Sequence, residues 1–344
     1  MELIWLLAFC FSSVFCFQIG ENDGGTAPRV PMNDGNSIPT LGLGTFLGFD
    51  ESGQKEVKEK EVENQVTWAL DAGYRLIDTA SAYHTESQIG VAIKKSSIPR
   101  ENIFLVTKLA SHEQRNVVES LRQSLSRLNM TYVDLYLIHT PVTFKEDFSS
   151  FDDIDYLDTW KGMEEAQRLG LTKSIGISNF NIDQIKRLLE NCNVKPAVLQ
   201  VEVNLNLAQD KLLDFCKSNG IVVMAYTPLG SLFDSSGKPP PPRHDDTALV
   251  TIAEKYGKTT PQIVLRYLTQ RGVIPIPKSV NKKRIEENIN IFDFQLSAED
   301  MEILAKFNAD YRTVFPSFWQ EHPYYPFEKK DVPDPDPFKG KPIG

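Results

Sequence analysis

From Arg29 onward the chain alternates short apolar runs with amphipathic stretches. Ile103–Val106, Val133–Ile138, Ser174–Ile177, Ala197–Val203, Ile221–Ala225 and Val273–Ile276 are β-branched and nearly continuous in hydrophobicity. Leu41–Gly44 and Leu76–Ile77 are shorter runs of the same kind. Such runs predict strands covered on both faces by helices. Between them, positions of helical period predict helices at Gln54–Ala72, Glu86–Lys95, Val117–Leu128, Leu157–Leu169, Asp183–Leu189 and Lys211–Lys217. Further helices are predicted at Ala248–Tyr256, Gln262–Gln270, Arg284–Ile291 and Glu299–Phe307. Gly73, Gly170 and Gly220 mark helix stops. Arg29–Pro39 reads as a hairpin about Asn33-Asp34-Gly35. Gly230–Asp246, with four consecutive prolines, is a loop, and Tyr311–Gly344 is an aromatic, proline-rich tail.

Eight strand–helix alternations in one chain predict an α/β fold: a single (β/α)8 TIM barrel with an N-terminal β-hairpin and a C-terminal substrate loop, spanning 29–344. The competing arrangement is an open doubly wound sheet. It would carry a glycine fingerprint, and Gly42, Gly44 and Gly48 have the wrong spacing for one.

Composition adds little: 41% hydrophobic and 24% charged is ordinary for a globular chain. The net charge of −9 and the lack of a clustered basic face argue against nucleic-acid binding. No metal is expected. Nothing sets an oligomeric state, and a monomer is consistent with the sequence.

The N-terminus is different. Leu3–Phe17 is apolar and uncharged, too short for a typical membrane span, and fits the core of a secretory signal peptide cleaved after Cys16. Glu2 stands where a basic residue is usual. The expectation is a signal peptide or signal anchor over 1–17 and a linker over 18–28. The protein is then expected in the secretory pathway, in the ER lumen or secreted, without a stable membrane span once cleaved; otherwise it is cytoplasmic. Cleavage leaves Cys192 and Cys216, both expected as buried thiols. Asn129-Met130-Thr131 is a glycosylation candidate on that route.

In a barrel of this kind chemistry sits at the carboxyl ends of the strands. Those ends carry Asp78 and Tyr83, Lys108, His139, Ser178 and Asn179, Gln200, Tyr226, then Lys278 and Ser279. Asp, Tyr, Lys and His together make a proton-donating device. A free phenol, with a pKa of about 10, is a poor acid at neutral pH. A neighbouring ammonium is expected to lower that value, and a carboxylate to hold the ammonium. A neutral His can hydrogen-bond and orient a carbonyl oxygen that gains charge on reduction.

On these residues the chain resembles the aldo-keto reductases. The matching stretches are GLGTF, GYRLIDTASAYHTESQIG, LVTKL, VDLYLIHTP, LDTWKGMEEAQRLGLTKSIGISNF, VVMAYTPLGS and IPKSVNKKRIEENINIFDFQLS, in order from Arg29 to Phe327. The resemblance implies a (β/α)8 barrel that binds NADP(H) and reduces a small-molecule carbonyl. It implies Tyr83 as general acid, Lys108 and Asp78 tuning it, and His139 orienting the carbonyl. Ser178, Asn179 and Gln200 match positions holding the nicotinamide carboxamide, and Tyr226 the ring stacked on it. Leu229 and Ser231 match the loop over the pyrophosphate. Lys278, Ser279, Arg284, Glu287 and Asn288 match the adenosine end, where Lys278 and Arg284 favour a 2′-phosphate.

The departures from the family pattern surround the substrate. Thr140 and Phe46 replace frequent tryptophans, Thr85 a frequent asparagine, and Asn204-Leu205 a frequent His-Pro. The charged residues of Gln54–Glu61 are expected away from the strand ends. Loop Gly230–Asp246 is shorter than in many relatives, and the tail, with Phe315, is expected to lid the pocket. An alternative is a cofactor-binding or scaffold protein of this fold with little turnover. A Schiff-base enzyme using Lys108 is disfavoured by Tyr226 and the IPKS stretch.

Overall fold

A computed structural model describes residues 23–50 and 53–331. The apolar segment 1–17, with Cys10 and Cys16, lies outside the described residues, as do 18–22 of the expected linker and the end of the tail. Linker residues within the described range are tied down: Thr26 N donates to Gly73 O at 3.0 Å, and Arg75 donates to the carbonyls of Asp23 and Gly24. Among the described residues no helix is long and apolar enough to cross a membrane.

Strands β1 (Arg29–Pro31) and β2 (Ser37–Pro39) form the expected antiparallel hairpin. Next come β3 (Leu43–Gly44), a two-stranded excursion of β4 (Phe49–Asp50) and β5 (Gly53–Gln54), and α1 (Glu61–Asp71). The alternation continues through β6 (Leu76–Asp78), α2 (Glu86–Lys95), β7 (Phe104–Leu109), α3 (Val117–Leu128), β8 (Val133–Ile138), α4 (Tyr156–Arg168) and β9 (Thr172–Ser178). It ends with α5 (Ile182–Asn191), β10 (Val198–Glu202), α6 (Asp210–Ser218), β11 (Val222–Tyr226), α7 (Thr247–Tyr256), α8 (Thr260–Gln270), β12 (Val273–Pro275), α9 (Lys282–Ile289) and α10 (Ala298–Ala305).

Strands β3 and β6 to β12 pair in chain order as one eight-stranded parallel sheet. The paired ladder itself runs open from β3 to β12. Its ends meet through a single parallel bridge, Gly44 to Lys278, and bonds from Gly42 N to Pro275 O and Gly44 N to Pro277 O, each 3.1 Å. Full ladder closure, as expected from the sequence, is therefore met only in part, because β3 has two residues and Pro275 and Pro277 lack N–H groups to donate.

Period-2 alternation divides the sheet into two faces. Leu76, Phe104, Val106, Leu135, Leu137, Val198, Met224, Ile274 and Ile276 fill the inner cluster, with Met32 and Ile38 of the hairpin plugging one end. Ile77, Leu105, Tyr136, Ile138, Ile177, Leu199, Val201 and Val223 face the helices. Gly42 leaves room for Leu76, since a Cβ there would sit 1.8 Å from Leu76 Cδ2. Cys192 and Cys216 are free thiols; Cys216 is fully buried as expected, whereas Cys192 is only half-buried.

One element differs from its reading. The predicted helix at Gln54–Ala72 starts only at Glu61. Within 55–60 Val57 is the one apolar residue, so there is no i, i+3, i+4 apolar face to anchor a first turn. That segment instead lies by the strand ends: Gln54 Nε2 donates to Ala82 O at 3.0 Å and Lys55 N to Gly48 O at 3.0 Å. The expectation that it lies away from them is corrected.

Candidate active site

The inward parity that buries Leu76 also turns Asp78 inward, two residues on. Val106 does the same for Lys108, Leu137 for His139, Val198 for Gln200, Met224 for Tyr226 and Ile276 for Lys278. On each of these strands an apolar inward residue stands two places before the polar one at the mouth, so inward-facing titratable groups collect there.

Lys108, fully buried, donates from Nζ to Asp78 Oδ1 at 2.6 Å, to Thr79 O at 2.9 Å and to the Tyr83 hydroxyl at 3.3 Å. Tyr83 comes from a short 3-10 turn after β6, and its hydroxyl lies 3.4 Å from His139 Nε2. Phe46 packs on the Tyr83 ring at 4.9 Å between centroids, and Phe49 on Phe46 at 5.1 Å. The four residues expected to act together thus converge.

Burial raises the Asp78 carboxyl, against the pull of Lys108 and Gln200. It lowers the Lys108 ammonium, against the pull of Asp78. Burial first, then the Asp78 charge, holds the Tyr83 phenol well above its ordinary value. This corrects the expectation that Lys108 lowers it: removal of the phenol from water dominates, and the Asp78 charge adds to it. Tyr83 is therefore protonated at rest.

His139 is pushed down to about 3, by burial and then by Lys108. It is neutral at physiological pH. The unfolded chain takes up a proton near pH 6.5 (about the ordinary His value) that the folded site refuses, so stability falls as pH drops from there toward 3. Nitrogen NMR is expected to show His139 neutral down to about pH 5.

The neighbouring ends join this network. Gln200 Nε2 donates to Asp78 Oδ2 at 2.7 Å. Asn179 donates to His139 O at 2.9 Å and to Ser178 Oγ at 3.2 Å, and accepts from the Tyr226 hydroxyl at 2.8 Å. Ser231 donates to Asn206 Oδ1 at 2.7 Å, which holds the start of the loop after β11, where Leu229 is half-buried.

At the far end of the mouth, Ser279 precedes α9, whose N-cap Asn281 accepts from Arg284 N at 3.1 Å. Lys282, Lys283 and Arg284 crowd a helix N-terminus, where cations are unfavourable unless an anion sits there. Lys282 and Lys283 pair with Glu286 and Glu287 one turn on, both at 3.7 Å. Lys278 and Arg284 make no salt bridge among the described residues. Arg284 lies over the exposed Phe233 ring at 5.8 Å, and Asn288 is buried. Two cations without a salt bridge among the described residues, one of them over an apolar ring, fit a phosphorylated nucleotide.

Lys55 is a residue the sequence reading missed. Its charge acts on Lys278, whose ammonium is lowered by burial and then by Lys55. The only sequence signal was the charge run itself, and solvated charge runs look the same.

Of the expected pocket residues, Phe46 touches Tyr83, as above. Thr140 is buried and spends its hydroxyl accepting from Val142 N at 3.2 Å. Phe315 is half-buried under Lys330 Nζ at 4.2 Å, with no ring contact to Tyr83 among the described residues. Asn129 is exposed and caps α3 in a left-handed conformation, φ 52°.

The Aldo/keto reductase family model matches residues 40–309. A Bombyx mori aldo-keto reductase, AKR2E4, is 47% identical over 308 residues, covering 87% of this chain and 98% of its own. Its crystal structure in complex with NADP superposes with a TM-score of 0.83 at 46% identity, over 88% of this chain and 99% of the other. The crystal structure of AKR2E5 complexed with NADPH gives a TM-score of 0.86 at 44% identity, over 92% and 97%. Mouse estradiol 17 beta-dehydrogenase 5 is 39% identical, over 87% of this chain and 97% of its own. With most of its length matched and the site residues brought together at the strand ends, the chain belongs to the aldo/keto reductase family.

Proposed function

We propose that this protein reduces aldehydes or ketones to alcohols with NADPH, Tyr83 delivering the proton. The observation that carries the reading is the contact of the Tyr83 hydroxyl with Lys108 Nζ at 3.3 Å and His139 Nε2 at 3.4 Å, in a buried network closed by Asp78. NADPH, when bound, supplies the hydride. Tyr83, protonated at rest, places its proton on the carbonyl oxygen as that oxygen gains charge. Lys108 stabilises the phenolate left behind and Asp78 keeps Lys108 in place. Neutral His139 holds the carbonyl oxygen by a hydrogen bond, and the site is dry enough for these bonds to count.

Ser178, Asn179 and Gln200 would hold the nicotinamide carboxamide and Tyr226 its ring face. Leu229 and Ser231 would cover the pyrophosphate. Lys278, Ser279, Arg284, Glu287 and Asn288 would hold the adenosine 2′-phosphate end. We read the sheet, its ends joined at Gly44 and Lys278, as a (β/α)8 barrel, and the tail from Tyr311 as the substrate loop.

Mixing the protein with NADPH and a panel of aldehydes tests the reaction. Consumption of NADPH supports it; failure to bind NADPH overturns it, and binding without turnover of any carbonyl favours the scaffold reading. Arg284→Ala is expected to raise the KM for NADPH about 10- to 100-fold, the loss of a charge-assisted phosphate contact, with little change for NADH. Equal changes for both cofactors would remove Arg284 from the 2′-phosphate.

A further inference from the structure

The inward parity of β10 does not end at Gln200. Glu202, two residues on, is fully buried and makes no salt bridge among the described residues. A buried carboxylate persists only where hydrogen-bond donors or a nearby cation offset the cost; burial raises this one, against the tail amides and the charge of Arg312. Here two of the donors come from the tail: Thr313 N donates to Oε1 at 2.8 Å and Val314 N to Oε2 at 2.9 Å. Asn204 Nδ2 adds a third bond to Oε1 at 3.0 Å.

The preceding stretch docks on the same connection. Ala309 N and Tyr311 N both donate to Asn206 O, at 3.1 and 2.9 Å, and Ala208 N donates to Asn308 Oδ1 at 3.0 Å. Beyond Glu202 the tail closes on itself. Buried Arg312 takes both oxygens of Glu328 at 3.1 Å each and lies over Phe327 at 4.3 Å. The segment between them carries Phe315, Phe318, Trp319, Tyr324 and Tyr325. Where that aromatic loop begins relative to the mouth is fixed by the two amides on Glu202.

We propose that Glu202 is a positioning residue for the substrate: its carboxylate sets the aromatic tail over the mouth and so decides how tightly a bulky, apolar carbonyl compound is held. The inference rests on the carbonyl-reductase reading. Glu202 makes no hydrogen bond to Asp78, Tyr83, Lys108 or His139, so its loss is expected to leave the chemical step on a small substrate largely intact.

The test compares wild type, Glu202→Gln and Val314→Pro with NADPH and two substrates, propanal and 2-naphthaldehyde. Glu202→Gln keeps the shape but turns an N–H donor toward a tail amide. Val314→Pro removes one amide from the tail side and leaves β10 untouched, so it decides the matter if the first variant does not fold. Both are expected to raise the KM for naphthaldehyde about 10-fold, with propanal kcat and NADPH affinity within about two-fold of wild type. An unchanged naphthaldehyde KM overturns the proposal. So does an equal rise for both aldehydes, which marks a structural role only. If wild type turns over neither aldehyde, the carbonyl-reductase reading itself has failed, and the positioning role falls with it.

Discussion

Tyr83→Phe is expected to lower kcat for carbonyl reduction by at least about 100-fold, the lower end of what a positioned general acid contributes. The substitution removes one oxygen and little else. The ring keeps its packing on Phe46 at 4.9 Å and its place beneath Lys108 Nζ, 4.8 Å from the ring centroid. Lys108 keeps its bonds to Asp78 and Thr79. NADPH affinity and thermal stability should therefore be close to wild type. Steady-state kinetics beside a cofactor titration check both halves. A fall in kcat of less than about 10-fold would mean that the proton comes from elsewhere, and Tyr83 would lose its role.

Lys108→Met should produce the largest stability loss of any single change at the site, about 3–5 kcal/mol, as well as abolishing measurable turnover. The side chain is fully buried and its ammonium is held by Asp78 at 2.6 Å. Methionine fills much of the same volume, so the loss is not chiefly a cavity. It is the Asp78 charge left buried, with Gln200 alone among the described residues donating to its other oxygen, at 2.7 Å. Adding Asp78→Asn removes that charge, and the double variant should recover a large part of the stability but none of the activity. Urea unfolding of the three proteins measures this. If the double variant is as unstable as Lys108→Met, the loss is one of packing and not of charge.

Much of the site could be read from the sequence because an apolar inward residue stands two places before each polar group at the mouth. Asp78, Lys108, His139, Gln200 and Tyr226 each follow an apolar run whose inner parity they continue, and that parity brings them together. Helices α2 and α3 and strand β8 begin and end where the hydrophobic period does. The reading failed where a residue's state depends on a distant partner. The Tyr83 phenol is held up, not lowered, because it is buried from water and the Asp78 charge adds to that. Residues 55–60 look like the start of a helix, yet Lys55 bonds to Gly48 and its charge acts on Lys278, partners no local pattern names. Glu202 and Thr313 are far apart in sequence, so no local pattern announces their contact.

The most direct test of the central claim is transfer of the cofactor's hydride. NADPH deuterated at the transferring carbon would be incubated with the protein and a reactive aldehyde, and the alcohol analysed by mass spectrometry and NMR. The account predicts one deuterium on the carbinol carbon of the product, with Tyr83→Phe giving the same label at a greatly reduced rate. An alcohol without deuterium, or NADPH bound but unconsumed with every carbonyl offered, would contradict it.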